Sequence, residues 1–138
     1  MVKTVSFSLS TKGICDLKDI TGTVEEVVLD SGITDGIVTI FVPGSTAGVT
    51  TLEYESGAVT DLKEMMERLI PSDIPYQHNE RWGDGNGFSH IRSAMVGPSM
   101  TVPFQGRRLM LGTWQQITLA DFDNRPRQRK VVLQVMGE

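Results

Sequence analysis

The chain has two histidines, His78 and His90, and they close the ends of one segment that reads HNERWGDGNGFSH. A neutral imidazole can ligate a metal, act as a base near neutral pH or stack on another ring. The pair is twelve positions apart, which does not match the i,i+4 spacing of a helical zinc pair. The two rings can meet only if the segment folds back, and Gly83, Gly85 and Gly87 make that bend sterically easy. The competing reading is two ordinary histidines that are neighbours only in sequence.

Three further groups could do chemistry. PGSTAGVTTLEYE (43–55) puts Ser45 and Thr46 among small residues whose backbone N–H groups can approach an anion closely. It is not a phosphate-binding loop of the Walker type, because no Gly-Lys-Ser/Thr follows. If this stretch is extended, Glu53 and Glu55 share a side, and a carboxylate there could bind a metal or accept a proton. In DNRPRQRK, alternation would put Arg125, Arg127 and Arg129 on one side as forks for phosphate or carboxylate. Trp114-Gln115, two residues after Gly112, reads as the middle of a strand, where an indole is either core or a stacking platform. Each group has a plainer alternative, respectively a turn, a solvated charge run and a core tryptophan.

Elements must carry these groups. Val5, Phe7 and Leu9 alternate with polar residues, the period of a half-buried strand. A helix is expected over 21–31, with Thr23 and Glu26 as a capping box, Val24, Val27 and Val28 as its apolar stripe, and Gly32 as its stop. GIVTIFV (36–42) reads as a strand buried on both faces. A second helix is expected over 56–69, carrying Asp61 on its polar face and an i,i+4 pair of Glu64 with Arg68. SHIRSAMVG reads as an alternating strand, TVPFQGRRLMLGTWQQITLADFD as a hairpin turning at Gln105-Gly106, and KVVLQVMG as the closing strand. The expectation is one α+β domain over 1–138, largely an antiparallel sheet or sandwich with two helices in its first half. Its sheet edges invite self-association.

Composition bounds the function. The 138 residues suffice for one core. A net charge of −4 offers no overall attraction for nucleic acid or an anionic membrane, so neither is an expected partner. Cys15 stands alone, which excludes an internal disulfide and paired-cysteine metal motifs. The N-terminus alternates instead of forming the apolar stretch of a signal peptide, and no run approaches the roughly 20 apolar residues of a membrane span. A cytoplasmic protein is expected.

In their order and spacing these pieces resemble the YjbQ-like family, some members of which are named secondary thiamine-phosphate synthases. The resemblance rests on Ser45-Thr46-Ala47 followed by Glu53, and on Asp61, Pro71, His78, Asn86 and His90. It continues through Gly97-Pro98-Ser99, Val102-Pro103, Leu111-Gly112-Thr113-Trp114-Gln115 and the late arginines. It implies a YjbQ-like α+β fold, commonly a homotrimer, and a site shared by Glu53, Asp61, His78 and His90. The implied activity joins a pyrimidine pyrophosphate to a thiazole phosphate. Arg127 and Arg129 would clamp phosphate, with Ser45, Thr46, Asn86, Ser99, Trp114 and Gln115 as further substrate contacts. A divalent metal, zinc or magnesium, would use His78, His90 and Glu53. The alternative is a metal- or metabolite-binding protein without physiological catalysis. Many relatives have histidine where this chain has Gly44, which removes one candidate ligand.

Overall fold

A computed structural model describes residues 1–138. Its elements run β1 (Val2–Thr11), β2 (Asp16–Asp19), α1 (Thr21–Ser31), β3 (Gly36–Phe41), β4 (Ala47–Leu52), α2 (Ser56–Leu69), α3 (Gln77–Trp82), α4 (Gly87–Val96), β5 (Ser99–Gln105), β6 (Arg108–Leu109), β7 (Gln116–Asp121) and β8 (Arg127–Gly137). All strand pairs are antiparallel, in a five-stranded sheet ordered β1-β8-β3-β5-β6 and a three-stranded sheet ordered β2-β7-β4. The mixed α+β class is as expected.

The main core lies between the sheets and under α1. Val38 and Ile40 of β3, Val102 and Phe104 of β5, and Val131, Leu133 and Val135 of β8 meet Val24 and Val28 of α1 and Ile117 and Leu119 of β7. A smaller cluster on the other side of the three-stranded sheet joins Leu17, Ala120 and Phe122 to Val59, Leu62 and Met66 of α2. The strand buried on both faces is therefore β7. In β3, Val38 and Ile40 are buried while Ile37 and Phe41 are exposed. An apolar run cannot show whether anything covers its second face; for β7 the cover is α2, and for β3 there is none.

Several local expectations are corrected. Residues 87–96 form α4 instead of a strand. Gly87, Phe88, Ser89, Arg92 and Ser93 are its buried residues, the last four one helical turn apart in pairs, and so short a stretch alternates equally well. A short helix, α3, precedes it. The turn at Gly106 does join β5 to β6, but β6 has two residues and β7 leaves for the other sheet. The start of α1 is held by Asp19, whose Oδ1 accepts from Thr21 N (3.0 Å) and Thr21 Oγ1 (2.6 Å), not by Thr23. Glu64 and Arg68 form no ion pair. No helix is long and apolar enough to cross a membrane.

Candidate functional site

Helices α3 and α4 make the fold-back that the histidines require. The α3 helix ends at Gly83 in the left-handed region, and Asn79 Oδ1 accepts from the Gly87 N–H at 2.8 Å, pinning the start of α4 against α3. Gly87 has to be glycine, since a Cβ there would lie 2.5 Å from Tyr76 Cβ. As a result the His78 and His90 rings meet, with centroids 4.3 Å apart and planes tilted by 56°. His78 also borders an open depression of about 460 Å³ shared with Gln77, Glu80, Arg81 and Trp82.

His78 is held on one side. Its Nε2 lies 2.9 Å from the Asn86 side-chain amide and 3.2 Å from Asp84 Oδ1. An amide nitrogen of Asn86 in that position reaches Asp84 Oδ1 and His78 Nε2, both at 2.9 Å. With its oxygen there, the amide would face a carboxylate. Asp84 is tied in turn to the β7–β8 turn, because Asn124 Nδ2 donates to its carbonyl at 2.7 Å. His78 Nδ1 and both ring nitrogens of His90 have no partner in the chain, and none is among its buried unpaired atoms.

Next along this seam are two buried aspartates, Asp121 and Asp123, with two arginines. Arg129 grips Asp121 through Nε (2.6 Å) and Nη2 (2.9 Å), while Thr11 Oγ1 donates to the same carboxylate at 2.5 Å. Arg129 Nη2 also donates to Thr46 Oγ1 at 2.6 Å. Arg127 Nε bonds Asp123, whose Oδ1 accepts from Asn124 N at 2.8 Å. Burial alone would raise both carboxyls; the hydrogen bonds from Arg129 and Thr11, and from Arg127 and Asn124, outweigh it and hold both below the usual carboxylate range. Arg129 Nη1 is left without a partner beside Gly44, where a Cβ would approach it to 3.1 Å. Both terminal nitrogens of Arg127 are likewise free. The arginines thus face inward onto aspartates, yet keep N–H groups to offer an anion.

Sequence reasoning expected more residues here than one chain brings together. Thr46, Asn86, His78, His90, Arg127 and Arg129 lie at the Asp121 end of the three-stranded sheet, with exposed Ser45 beside Thr46. Glu53 follows the other end of β4, since Ala47 pairs with Asp121 while Leu52 pairs with Gln116. At about 3.3 Å per residue that separation is roughly 20 Å. Gln115, which donates to Thr51 Oγ1 at 3.1 Å, and Trp114, 71% exposed in a turn and not in a strand, share that far end. Asp61 is exposed on α2 with no ion pair. Ser99 pairs with Phe41 and so faces the uncovered side of the large sheet. Glu55, grouped with Glu53 in the sequence, caps α2 by accepting from Gly57 N (2.8 Å) and Ala58 N. Arg125 precedes β8 and is exposed.

The residues do not fit a resident metal within one chain, because no three His, Cys, Asp or Glu side chains converge. Cys15 is buried, which raises its thiol pKa and leaves it the small core residue expected.

Asp84, Asp121, Asp123 and Asn124 were missed, although a signal existed. Asp121 and Arg129, like Asp123 and Arg127, are placed symmetrically about residue 125. Acids and bases mirrored across a turn are positioned to pair when the chain reverses there.

The fold and this seam define a two-sheet α+β protein with an imidazole pair next to an arginine–aspartate array. A family model described as "UPF0047 protein YjbQ-like" matches residues 5–138. The chain belongs to that family. It is 38% identical over 137 residues to a UPF0047 protein of Methanothermobacter thermautotrophicus, covering 99% of this chain and 94% of that one. It is 36% identical to the UPF0047 protein YugU of Bacillus subtilis, covering 99% and 100%. Among solved structures it is similar to a hypothetical protein from Aeropyrum pernix (TM-score 0.91, 34% identity, 99% of each chain). A YbjQ-like protein of unknown function from Sulfolobus solfataricus is also similar (TM-score 0.90, 29% identity, 100% of each chain).

Proposed function

We propose that this protein binds a small phosphorylated metabolite at the seam between α3–α4 and the β7–β8 turn. We further propose that it acts there as a thiamine-phosphate synthase-like transferase. In that reaction the thiazole nitrogen bonds to the pyrimidine methylene carbon as the carbon–oxygen bond to pyrophosphate breaks, and pyrophosphate leaves with the electron pair. The chain would supply donors to the leaving anion: the free N–H groups of Arg127 and Arg129, with Ser45 at the same end. The carrying observation is the meeting of His78 and His90 at 4.3 Å with three ring nitrogens unpartnered. Any divalent cation would be the one carried by the pyrophosphate, with the open ring nitrogens of both His78 and His90 as its ligands in this proposal.

The test is binding and turnover in one preparation. Calorimetry with inorganic pyrophosphate and a coupled assay should both report signal for the wild type and none for the His78→Ala/His90→Ala double variant. Full activity in that variant would end the assignment. The open ring nitrogens of the pair equally suit one other reading, a metal- or metabolite-binding protein without physiological turnover. Elemental analysis and native mass spectrometry would then find a retained ligand in a protein with no activity.

The same reading has the protein working as a homotrimer. Support comes from the uncovered face of the large sheet, where Ile37, Phe41 and Met136 are exposed. Light scattering giving a monomer at micromolar concentration would remove that part.

A further inference from the structure

The depression beside His78 has one apolar wall, and that wall is aromatic. Gln77, His78, Glu80 and Arg81 line it with polar and charged groups, and Trp82 is the remaining lining residue. All five belong to α3, which ends at Gly83 in the left-handed region immediately after the indole. Trp82 follows His78 at i+4 and Arg81 follows it at i+3. Side chains at those spacings are neighbours on a helix surface, about 5–6 Å apart at Cβ. Trp82 is 66% exposed and belongs to neither core cluster. The Arg81 guanidinium carbon lies 5.8 Å from its ring centroid, within reach of a cation–π contact.

We propose that Trp82 is a specificity-determining residue, its indole being the platform on which a flat nitrogen heterocycle of the phosphorylated metabolite stacks. The inference deepens the phosphorylated-metabolite reading and rests on it for the charged half of the ligand. The ring is what it adds. An indole is a large, rigid π surface that pairs best with another flat ring in an offset stack. No second apolar side chain lines the depression, so the face of a ligand ring has only Trp82 to cover it. The other lining groups suit the edge of such a ring. Gln77 can donate and accept, and Glu80 can accept from a ring N–H or an amino substituent. Arg81 brings donors for an anionic oxygen to the same place. Trp114, the ring platform expected from sequence, lies at the far end of the three-stranded sheet.

Tryptophan fluorescence tests this in the Trp114→Phe variant, where Trp82 is the sole indole. The aminopyrimidine-methyl pyrophosphate of the proposed reaction should quench Trp82 and shield it from iodide. Inorganic pyrophosphate should do neither. By calorimetry, Trp82→Ala should weaken the aminopyrimidine pyrophosphate about tenfold and leave inorganic pyrophosphate unchanged, whereas Trp82→Phe keeps most of the affinity. Trp82 is exposed, so both variants should fold, with circular dichroism matching wild type. An equal loss for both probes would overturn the proposal, as would a Trp82 already shielded from iodide in the ligand-free protein, which would place the indole against a second subunit. Binding of inorganic pyrophosphate with no response of Trp82 to the ring removes the platform and leaves the phosphorylated-metabolite reading standing. Quenching by the unphosphorylated aminopyrimidine alcohol, with neither pyrophosphate bound, does the reverse.

Discussion

The Arg129–Asp121 pair and the His78–His90 pair lie at the same end of the molecule but are built on opposite terms. Asp121 is fully buried and takes two hydrogen bonds from Arg129 and one from Thr11. The histidines are carried by short helices, are partly exposed and leave three ring nitrogens open. A buried ion pair stripped of one partner strands a charge in low dielectric. An imidazole pair with unspent nitrogens loses little when truncated. The contrast separates groups that hold the fold from groups able to meet a ligand, and Arg129 sits on the boundary, with two nitrogens committed and one free.

The largest expected effect follows from that boundary. Arg129→Ala leaves Asp121 unpaired and should cost about 3–5 kcal/mol in urea unfolding. The double histidine variant should stay within about 1 kcal/mol of wild type while losing pyrophosphate binding. A histidine variant as unstable as the arginine variant would break the comparison.

Acid should act on the first pair as well. Asp121 and Asp123 have folded pKa values below their unfolded ones, so the unfolded chain binds more protons as pH falls. Their contribution is fully present above the ordinary carboxylate pKa of about 4 and is lost as pH drops below it through the lower folded values. Denaturation midpoints from pH 7 to pH 3 should fall steeply in wild type and less in Asp121→Asn, which starts lower. Equal pH slopes would show that other carboxylates carry the acid response.

Two smaller effects sharpen the distinction between neighbours. Glu55→Ala removes the α2 cap and should cost about 1 kcal/mol, whereas Glu53→Ala should change stability by less than about 0.5 kcal/mol. Trp114→Ala, at an exposed turn, should alter neither stability beyond about 0.5 kcal/mol nor pyrophosphate affinity. A loss of affinity there would mean that the far end of the sheet joins the site through another subunit.

Helix limits were legible where a local signal suffices. The spans 21–31 and 56–69 match α1 and α2, because apolar spacing and terminal residues act within a turn or two. SHIRSAMVG, residues 89–97, was misread as a strand because so short a run of mixed polar and apolar residues fits a period of two as readily as a helical one. The buried set that distinguishes a helix depends on what α4 packs against. Grouping Glu53 with the histidines failed for a similar reason: sequence proximity to Thr46 says nothing about which end of a strand a site occupies.

The sequence by itself determined the mixed class, the antiparallel pairing and the presence of an imidazole pair, a small-residue turn and alternating arginines. These are properties of residue type and period, expressed over a few positions of chain. Only the tertiary structure decided that the arginines turn onto Asp121 and Asp123, that Asn86 and Asp84 take one nitrogen of His78, and that Glu53 and Trp114 lie elsewhere. Those outcomes depend on which ends of β4, β7 and β8 coincide, and strand register is set by long-range packing that no local pattern encodes.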